Sequence, residues 1–143
     1  MKSNNKLIVR EYIEKVVNTG DINLIEKFIS VDYSEVYSNK KIQVGISGAK
    51  EHITGVRKTY PDAQLIIDQQ ISEGDWVVTC FTMRGTHMGS WIGIKPTKRK
   101  IEVTGVNVDK LLEGKIVEHG GAANMFEGLL EIGAIKIVGE AEE

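Results

Sequence analysis

The sequence predicts an α+β fold in which helices pack on a curved antiparallel sheet. Apolar residues recur at helical spacing in much of the chain before Pro61, whereas the chain after Asp62 reads as strands, of which residues 76–84 are rich in valine, threonine and aromatic residues. Because helices precede a long run of strands, the strands should pair as a meander that is covered by helices on one face. Such a sheet leaves a concave space beneath the helices, where a ligand site is expected.

The composition is that of one soluble globular domain. The chain has 143 residues, which fits a single domain over residues 1–143. A net charge of −2 creates no field that would attract nucleic acid or an anionic membrane. Cys80 is the single cysteine, so no internal disulfide can form and a cytoplasmic protein is expected. The first residues lack the apolar core of a signal peptide, and no apolar run is long enough to span a bilayer.

Three helices are predicted in the first part of the chain. Apolar residues at helical spacing mark the first helix over residues 3–18, and Asp21 is a favourable N-cap for a short second helix. A third helix is expected between an N-cap at Ser47 and Pro61, which cannot continue it. His52 lies on the apolar face of this helix.

A short strand, Asp32 to Tyr37, is predicted between the second and third helices. Alternation along this strand places Glu35 on one face between Tyr33 and Tyr37. Two readings of Glu35 stay open: a carboxylate in a pocket, or an exposed side chain on an edge strand.

The remainder of the chain is predicted to be mainly sheet. Strands at residues 63–72 and 76–84 form a hairpin, and a flap at residues 85–96 precedes a strand at residues 100–112. His87 is expected to be exposed on the flap, where Trp91 could cover an apolar ligand or pack under the loop. A short last helix is expected at residues 124–132. The tail, residues 135–143, is predicted to add an edge strand or an oligomer contact before a frayed end.

The turn at Gly114 decides which polar side chain lies opposite His119. A three-residue turn ending in a left-handed glycine would place Asn107 opposite His119, whereas a two-residue turn would place Val108 there. We expect the three-residue turn, which brings the imidazole and the amide together.

Proton transfer is the chemistry for which the sequence offers candidate residues. Glu35 and His119 are the candidate acid–base groups, because a carboxylate or imidazole in an apolar pocket can have its pKa moved towards neutrality. His119 could equally be a hydrogen-bonded core residue, and His52 a pocket wall. The histidines have no metal-binding spacing, and Cys80 lies in mid-strand without a neighbouring cation, so neither a metal nor a nucleophilic cysteine is expected.

Short motifs along the chain resemble the SnoaL-like polyketide cyclases, a family within the nuclear-transport-factor-two-like superfamily. The motifs are Gly20-Asp21, Tyr60-Pro61-Asp62, Gly74-Asp75, Gly85-Thr86-His87, Gly93-Ile94-Lys95-Pro96-Thr97 and Gly114-Lys115-Ile116-Val117-Glu118-His119. The resemblance covers residues 5 to 134 and implies a cone-shaped fold with three N-terminal helices and a short C-terminal helix.

The family closes rings by an aldol reaction that needs no metal or organic cofactor. The resemblance implies an acid–base aspartate two residues after the strand histidine, assisted by a histidine on the preceding strand. This chain has Gly121 and Asn107 at those positions, and Asn124 at an alternative acidic position. Glycine offers no proton and asparagine does not titrate, so that mechanism does not transfer residue by residue.

The first hypothesis is a protein that binds a small apolar carbonyl compound and transfers a proton without a cofactor. Glu35 would be the base, and His119 or Asn107 would hold the developing oxyanion. Substrate contacts are expected from Tyr12, Tyr33, His52, Met83, Trp91 and Asn107. One alternative is a non-catalytic small-molecule-binding or sensing module, and another is an interaction protein that forms a homodimer or larger homo-oligomer.

Overall fold

The computed structural model describes residues 4–139 and 141, in which helices cover one face of a six-stranded sheet. The helices are α1 (Asn5–Tyr12), continued by a π-helical turn (Ile13–Val17), then a 3-10 helix (Ile22–Lys27), α2 (Gly45–Thr59) and α3 (Met125–Glu131). The strands are β1 (Ile29–Tyr37), β2 (Lys40–Gln43), β3 (Gln64–Glu73), β4 (Trp76–Thr86), β5 (Lys100–Leu112) and β6 (Lys115–Ala123). The α+β prediction with helices on a curved sheet is confirmed.

The prediction that the sheet is antiparallel throughout is wrong, because β1 and β6 run parallel and the sheet is therefore mixed. The spatial order is β2-β1-β6-β5-β4-β3, and all neighbours are antiparallel except β1 and β6. The antiparallel pairs join strands that are consecutive in the chain. The parallel pair joins strands separated by most of the chain, and the local patterns that predict hairpins carry no information about such a pairing.

The expected three-residue turn between β5 and β6 is wrong. Leu112 pairs with Lys115, so the turn has two residues, Glu113 and Gly114, at φ +50° and +77°. Positive φ at both positions is the type I′ geometry, which matches the twist of the strands that flank it.

A β-bulge in β6 then changes the register. Leu111 pairs with Ile116, but Lys110 pairs with Glu118, so Val117 is the extra residue. Asp109 therefore lies opposite His119, in place of either residue that the sequence suggested. Asn107 lies opposite Gly121.

Alternation along β4 and β5 directs one row of side chains towards the helices and builds two apolar cores. The first core lies beneath α1, the 3-10 helix and α2, and its members include Val9, Ile25, Ile53, Val77 and Ile116. The second lies beneath α3, and its members include Tyr60, Phe81, Met83, Val103 and Leu129. Residues of both cores line a space between the helices and the sheet.

The start of α2 differs from its prediction. The helix begins at Gly45 after Val44, whose side chain makes no capping hydrogen bond, so Ser47 lies inside the first turn instead of capping it. β2 precedes this helix and covers the edge of β1. Glu35 consequently lies on an interior strand.

Hydrogen bonds anchor the flap, and the predicted exposure of His87 is wrong. The side chain is 1% exposed, and its Nδ1 accepts a hydrogen bond from the backbone N–H of Thr97 at 3.2 Å. The backbone of His87 also bonds with Arg99 and Lys98 across the flap. The antiparallel pairing of β4 with β5 therefore continues into the flap, where His87 bonds with Lys98 and Arg99.

The tail forms no strand within residues 132–139, so the predicted edge strand is wrong for that segment. Ile135 packs on the second core, whereas Val138 is 98% exposed. Residues 140, 142 and 143, part of the predicted frayed end, lie outside the described residues, as does Ser3 at the predicted start of the first helix. No helix among the described residues is long and apolar enough to cross a membrane.

Replacing Tyr60 by phenylalanine should stabilise the protein. The Tyr60 hydroxyl is buried and has no hydrogen-bond partner among the described residues, so its removal relieves a desolvation cost of about 1–3 kcal/mol. Chemical denaturation should show a higher free energy of unfolding for Tyr60→Phe. The control Tyr33→Phe removes a hydroxyl that does have a partner and should be destabilising. A less stable Tyr60→Phe would contradict this reading.

Candidate functional site

A cavity of about 690 Å³ lies between the helices and the sheet. Its wall is mostly apolar and comes from both cores, including Ile53, Phe81, Met83 and Val103. Its polar lining includes Tyr12, Tyr33, Tyr37, His52, Tyr60, Asn107, Asp109 and His119. A few polar groups in an apolar cavity of this size are typical of a small-molecule site.

Glu35 is held by three side chains of the cavity wall. The Tyr33 hydroxyl donates to Oε2 at 3.1 Å, and the Tyr37 hydroxyl donates to Oε1 at 2.9 Å. Nδ1 of His52 lies 2.5 Å from Oε2. Glu35 is 6% exposed, so the reading of an exposed edge residue is excluded. Glu35 does not itself line the cavity, but the three side chains that bind it do.

These contacts keep Glu35 ionised. Burial by itself opposes ionisation, but the hydrogen bond and charge of His52 and the two tyrosine hydroxyls outweigh it and lower the pKa of Glu35 to about 2. Burial, together with the hydrogen bond to Glu35 and its charge, raises the pKa of Tyr37 to about 12. Because an ionised carboxylate only accepts hydrogen bonds, Nδ1 of His52 must be the donor. A neutral His52 ring therefore carries its free lone pair on Nε2.

A second carboxylate–histidine pair joins β5 and β6. Nδ1 of His119 lies 2.6 Å from Oδ1 of Asp109, whose side chain is almost fully buried. Burial of the ring opposes protonation, but the charge and hydrogen bond of Asp109, with the charge of Glu35, raise the pKa of His119 above its ordinary value. Asp109 thus favours the charged form of the ring.

The two imidazoles meet in the cavity wall. Their ring centroids are 5.7 Å apart, and the rings cross at 80°. Nε2 of His52 and Nε2 of His119 each lack a hydrogen-bond partner among the described residues. Among those residues, the Tyr60 hydroxyl is the side-chain polar atom that is both unpaired and fully buried, so neither Nε2 atom is fully buried. Both Nε2 atoms are therefore reached by solvent, and both rings line the cavity.

Tyr12 and Asn107 add two hydrogen-bond donors to this part of the wall. Burial, the charge of Asp109 and the charge of Glu35 raise the pKa of Tyr12, so its hydroxyl stays protonated at neutral pH. Neither side chain bonds another described residue, and neither is closed off from solvent. Both are available to an oxygen atom of a ligand.

The structure places seven of the eight candidate residues in the cavity lining. These are Tyr12, Tyr33, His52, Met83, Trp91, Asn107 and His119. The eighth, Glu35, contacts three side chains of the cavity wall. Their roles in binding or catalysis stay predictions.

Asp109 lies in the cavity wall but was not predicted from the sequence as a site residue. It occupies the inward-facing row of β5 together with Val103, Asn107 and Leu111. An aspartate in an otherwise mainly apolar row is a signal that a sequence can carry. The register that gives it His119 as a partner depends on the bulge, which the sequence pattern does not reveal.

Position 121 cannot accept an aspartate in this backbone. Gly121 has φ +132°, and a Cβ built there would lie 2.0 Å from the carbonyl oxygen of Val106. The carboxylate position that the resemblance implies is thus closed by the geometry of β6. Among the described residues, no group of three or more His, Cys, Asp or Glu side chains is arranged to hold a metal ion.

Comparisons with known proteins agree on one family. The family model described as SnoaL-like polyketide cyclase matches residues 7–130. Nogalonic acid methyl ester cyclase of Streptomyces nogalater is 27% identical over 104 residues, which is 71% of this chain and 78% of that protein.

Solved structures match over nearly the whole chain. AclR from Streptomyces galilaeus, described as a putative hydroxylase, has a TM-score of 0.78 and 26% identity, covering 92% of this chain and 97% of its own. A SnoaL-like polyketide cyclase from Agrobacterium tumefaciens has a TM-score of 0.78 at 11% identity, covering 91% and 98%, which supports the fold alone.

Restoring the missing carboxylate should damage the fold. Gly121→Asp forces a side chain into an unfavourable φ and against a backbone oxygen, so the free energy of unfolding should fall by about 2 kcal/mol or more. Denaturant titration measures this change. Gly139→Asp is the control, because no atom lies within 4 Å of a Cβ at that position. Equal stability of the two variants would contradict the closed geometry.

Proposed function

Because the chain belongs to the SnoaL-like polyketide cyclase family, we propose that its cavity binds a small, largely apolar carbonyl compound and transfers a proton beside the carbonyl group without a cofactor. The family resemblance that the sequence motifs predicted is confirmed. The observation that supports the proposal most directly is the Asp109–His119 pair, which opens onto an otherwise mainly apolar cavity.

His119 is proposed to act at the carbonyl oxygen. Its raised pKa favours the protonated ring, whose Nε2–H can donate to the oxygen as negative charge develops there. Tyr12 and Asn107 can donate to the same oxygen or to a second polar group of the substrate. An apolar surrounding strengthens these interactions, because little water competes for them.

The reaction is proposed to be a cyclisation or isomerisation that passes through an enol. Similarity to nogalonic acid methyl ester cyclase favours ring closure on a carbonyl substrate. The family's aspartate is absent at Gly121, so the acid–base groups must come from other parts of the same wall. The base is proposed to come from Glu35 and the side chains that bind it.

The location of the protein and its oligomeric state also stay proposals. The protein is proposed to act in the cytoplasm, which agrees with its single free cysteine, Cys80. A homodimer or larger homo-oligomer is proposed, with exposed apolar residues such as Ile71 on the sheet and Val138 in the tail available for contact. Sedimentation at micromolar concentration tests the oligomer, and a monomer would contradict it.

The function can be tested with 2-tetralone, a two-ring ketone with an activated C–H beside its carbonyl group. The wild-type protein should accelerate exchange of that hydrogen in D₂O, followed by NMR. His119→Gln should reduce the catalysed exchange by about 10²–10⁴-fold, the usual value of a placed acid–base group. Asp68→Asn, an exposed carboxylate that accepts a hydrogen bond from Thr82, is the control and should exchange at the wild-type rate.

Exchange by the wild-type protein at the buffer rate would refute catalysis of this reaction. If 2-tetralone nevertheless raised the melting temperature, the non-catalytic binding module would be favoured.

The pH dependence of exchange should report the state of His119. An acid must be protonated to act, so the rate should fall as pH rises through the raised pKa of His119. Asp109→Asn removes the charge that raises this pKa and should therefore move the decline to lower pH. A decline that stays at the same pH in Asp109→Asn would assign it to a different group.

A further inference from the structure

We propose that Nε2 of His52 is the base that removes the proton from carbon, and that Glu35 positions His52 without touching the substrate. This inference rests on the proposed function and assigns the second half of its proton transfer. It differs from the sequence-level hypothesis, in which the Glu35 carboxylate itself is the base.

The hydrogen bonds of Glu35 argue against a direct role. Oε2 binds both Tyr33 and His52, and Oε1 binds Tyr37, so both oxygens are engaged by the cavity wall. A substrate C–H could reach Glu35 only if these contacts were broken.

His52 satisfies the geometric requirements that Glu35 does not. Its Nδ1 is hydrogen-bonded to Glu35, its Nε2 has no hydrogen-bond partner within residues 4–139 and 141, and its ring lines the cavity. The same arrangement recurs at His119 with Asp109, and the two rings lie 5.7 Å apart between centroids. Two rings at this separation can reach the two atoms of a substrate that are bonded to the same carbonyl carbon, namely the enolisable carbon and the carbonyl oxygen.

The charged neighbours favour one protonated ring and one neutral ring. Two imidazolium ions at this distance would repel each other, so the second proton binds less readily than the first. The proposal places the first proton on His119, whose Nδ1 is held by the buried carboxylate of Asp109. The other titratable groups around the rings and the cavity are Tyr12 of α1; Tyr33, Glu35 and Tyr37 of β1; Asp109 of β5; Glu51, Arg57 and Lys58 of α2; and Tyr60, which follows α2.

The proton balance closes without a further reactant. Neutral His52 takes the proton from carbon, the C–H electron pair forms a carbon–carbon double bond, and the carbonyl oxygen takes a proton from His119. The product is an enol, with His52 protonated and His119 neutral. Return of the His52 proton to carbon and of the enol proton to His119 restores both rings.

This base limits the class of substrate. An imidazole abstracts protons effectively only from fairly acidic carbon, because catalysis is best when donor and acceptor pKa values are close. We therefore infer a substrate whose reacting carbon lies between a carbonyl group and a second unsaturated group. 2-Tetralone, in which a carbon lies between a ketone and an aromatic ring, is the simplest probe of this class.

Variants of His52 and Glu35 separate the two possible bases. His52→Ala should lose at least about 10²-fold in 2-tetralone exchange, and free imidazole in the buffer should restore part of the rate. Glu35→Gln retains a hydrogen-bond acceptor for Nδ1 and should lose much less activity than His52→Ala. Glu118→Gln is the control for the carboxylate change, since Glu118 lies on the opposite face of β6 and pairs with Lys41.

The pH profile tests the positioning role of Glu35. Because a base must be unprotonated to act, wild-type exchange should rise with pH on the acid side before its decline at higher pH. Removing the nearby negative charge in Glu35→Gln should move this rise to lower pH, whereas damage to the fold alone would lower the rate without moving it.

The outcomes distinguish this inference from the proposed function. Loss of exchange in His119→Gln with a wild-type rate in His52→Ala would overturn the inference and leave the function standing. Abolished exchange in Glu35→Gln with full activity in His52→Ala would make Glu35 the base. A wild-type protein without exchange would remove the proposed function and this inference together.

A measurement on the wild-type protein avoids any effect of substitution on folding. 2-Naphthol resembles the enol of 2-tetralone, so its binding should shift the ¹⁵N resonances of Nε2 in both His52 and His119. His87, which is outside the cavity lining, serves as the internal control and should not shift. A shift at His119 without one at His52 would overturn the proposal.

Discussion

The burial of two carboxylates against apolar cores is the constraint on which the site depends. An unpaired buried charge costs about 3–5 kcal/mol, so each carboxylate must be matched by donors that are themselves held in place. Glu35 is matched by two tyrosines and His52, and Asp109 by His119. The hydrogen bonds that make burial tolerable also orient the imidazoles towards the cavity.

This coupling links the site to the fold. The partners of Glu35 come from β1 and α2, and the partner of Asp109 comes across the β5–β6 ladder. Helix α2 is therefore tied to the sheet by a polar contact as well as by the apolar residues beneath it, such as Ile53. A side chain that lines the cavity and also satisfies a buried charge cannot be replaced without affecting both the cavity and the fold.

The geometry of β6 gives a physical reason why the titratable side chains of this cavity lie at other positions than those that the family resemblance implies. Gly121 has a backbone that excludes a side chain, and Asn107 opposite it does not titrate. Two positions earlier on β6, His119 lies opposite Asp109 on the inward face. The titratable pair is thus displaced along the same two strands but still faces the same cavity.

Much of the architecture follows from local patterns in the sequence. Helical periodicity and the cap at Asp21 predicted the N-terminal helices, and the alternation of β1 predicted that Tyr33, Glu35 and Tyr37 share a face. The inward row of β5 likewise follows from alternation, so the sequence already placed Asn107 on one wall. These properties depend on residues a few positions apart, and the sequence by itself determines them.

Other properties depend on contacts between distant segments, and only the tertiary structure decided them. The parallel pairing of β1 with β6 joins residues far apart in the chain, and it carries Glu35 to a position level with His119. The bulge at Val117 selects Asp109 as the partner of His119, although the hairpin turn alone would have aligned Val108. Side chains alternate between the two faces of a strand, so one extra residue in β6 shifts its register against β5 by one position and changes which side chain of β5 lies opposite His119.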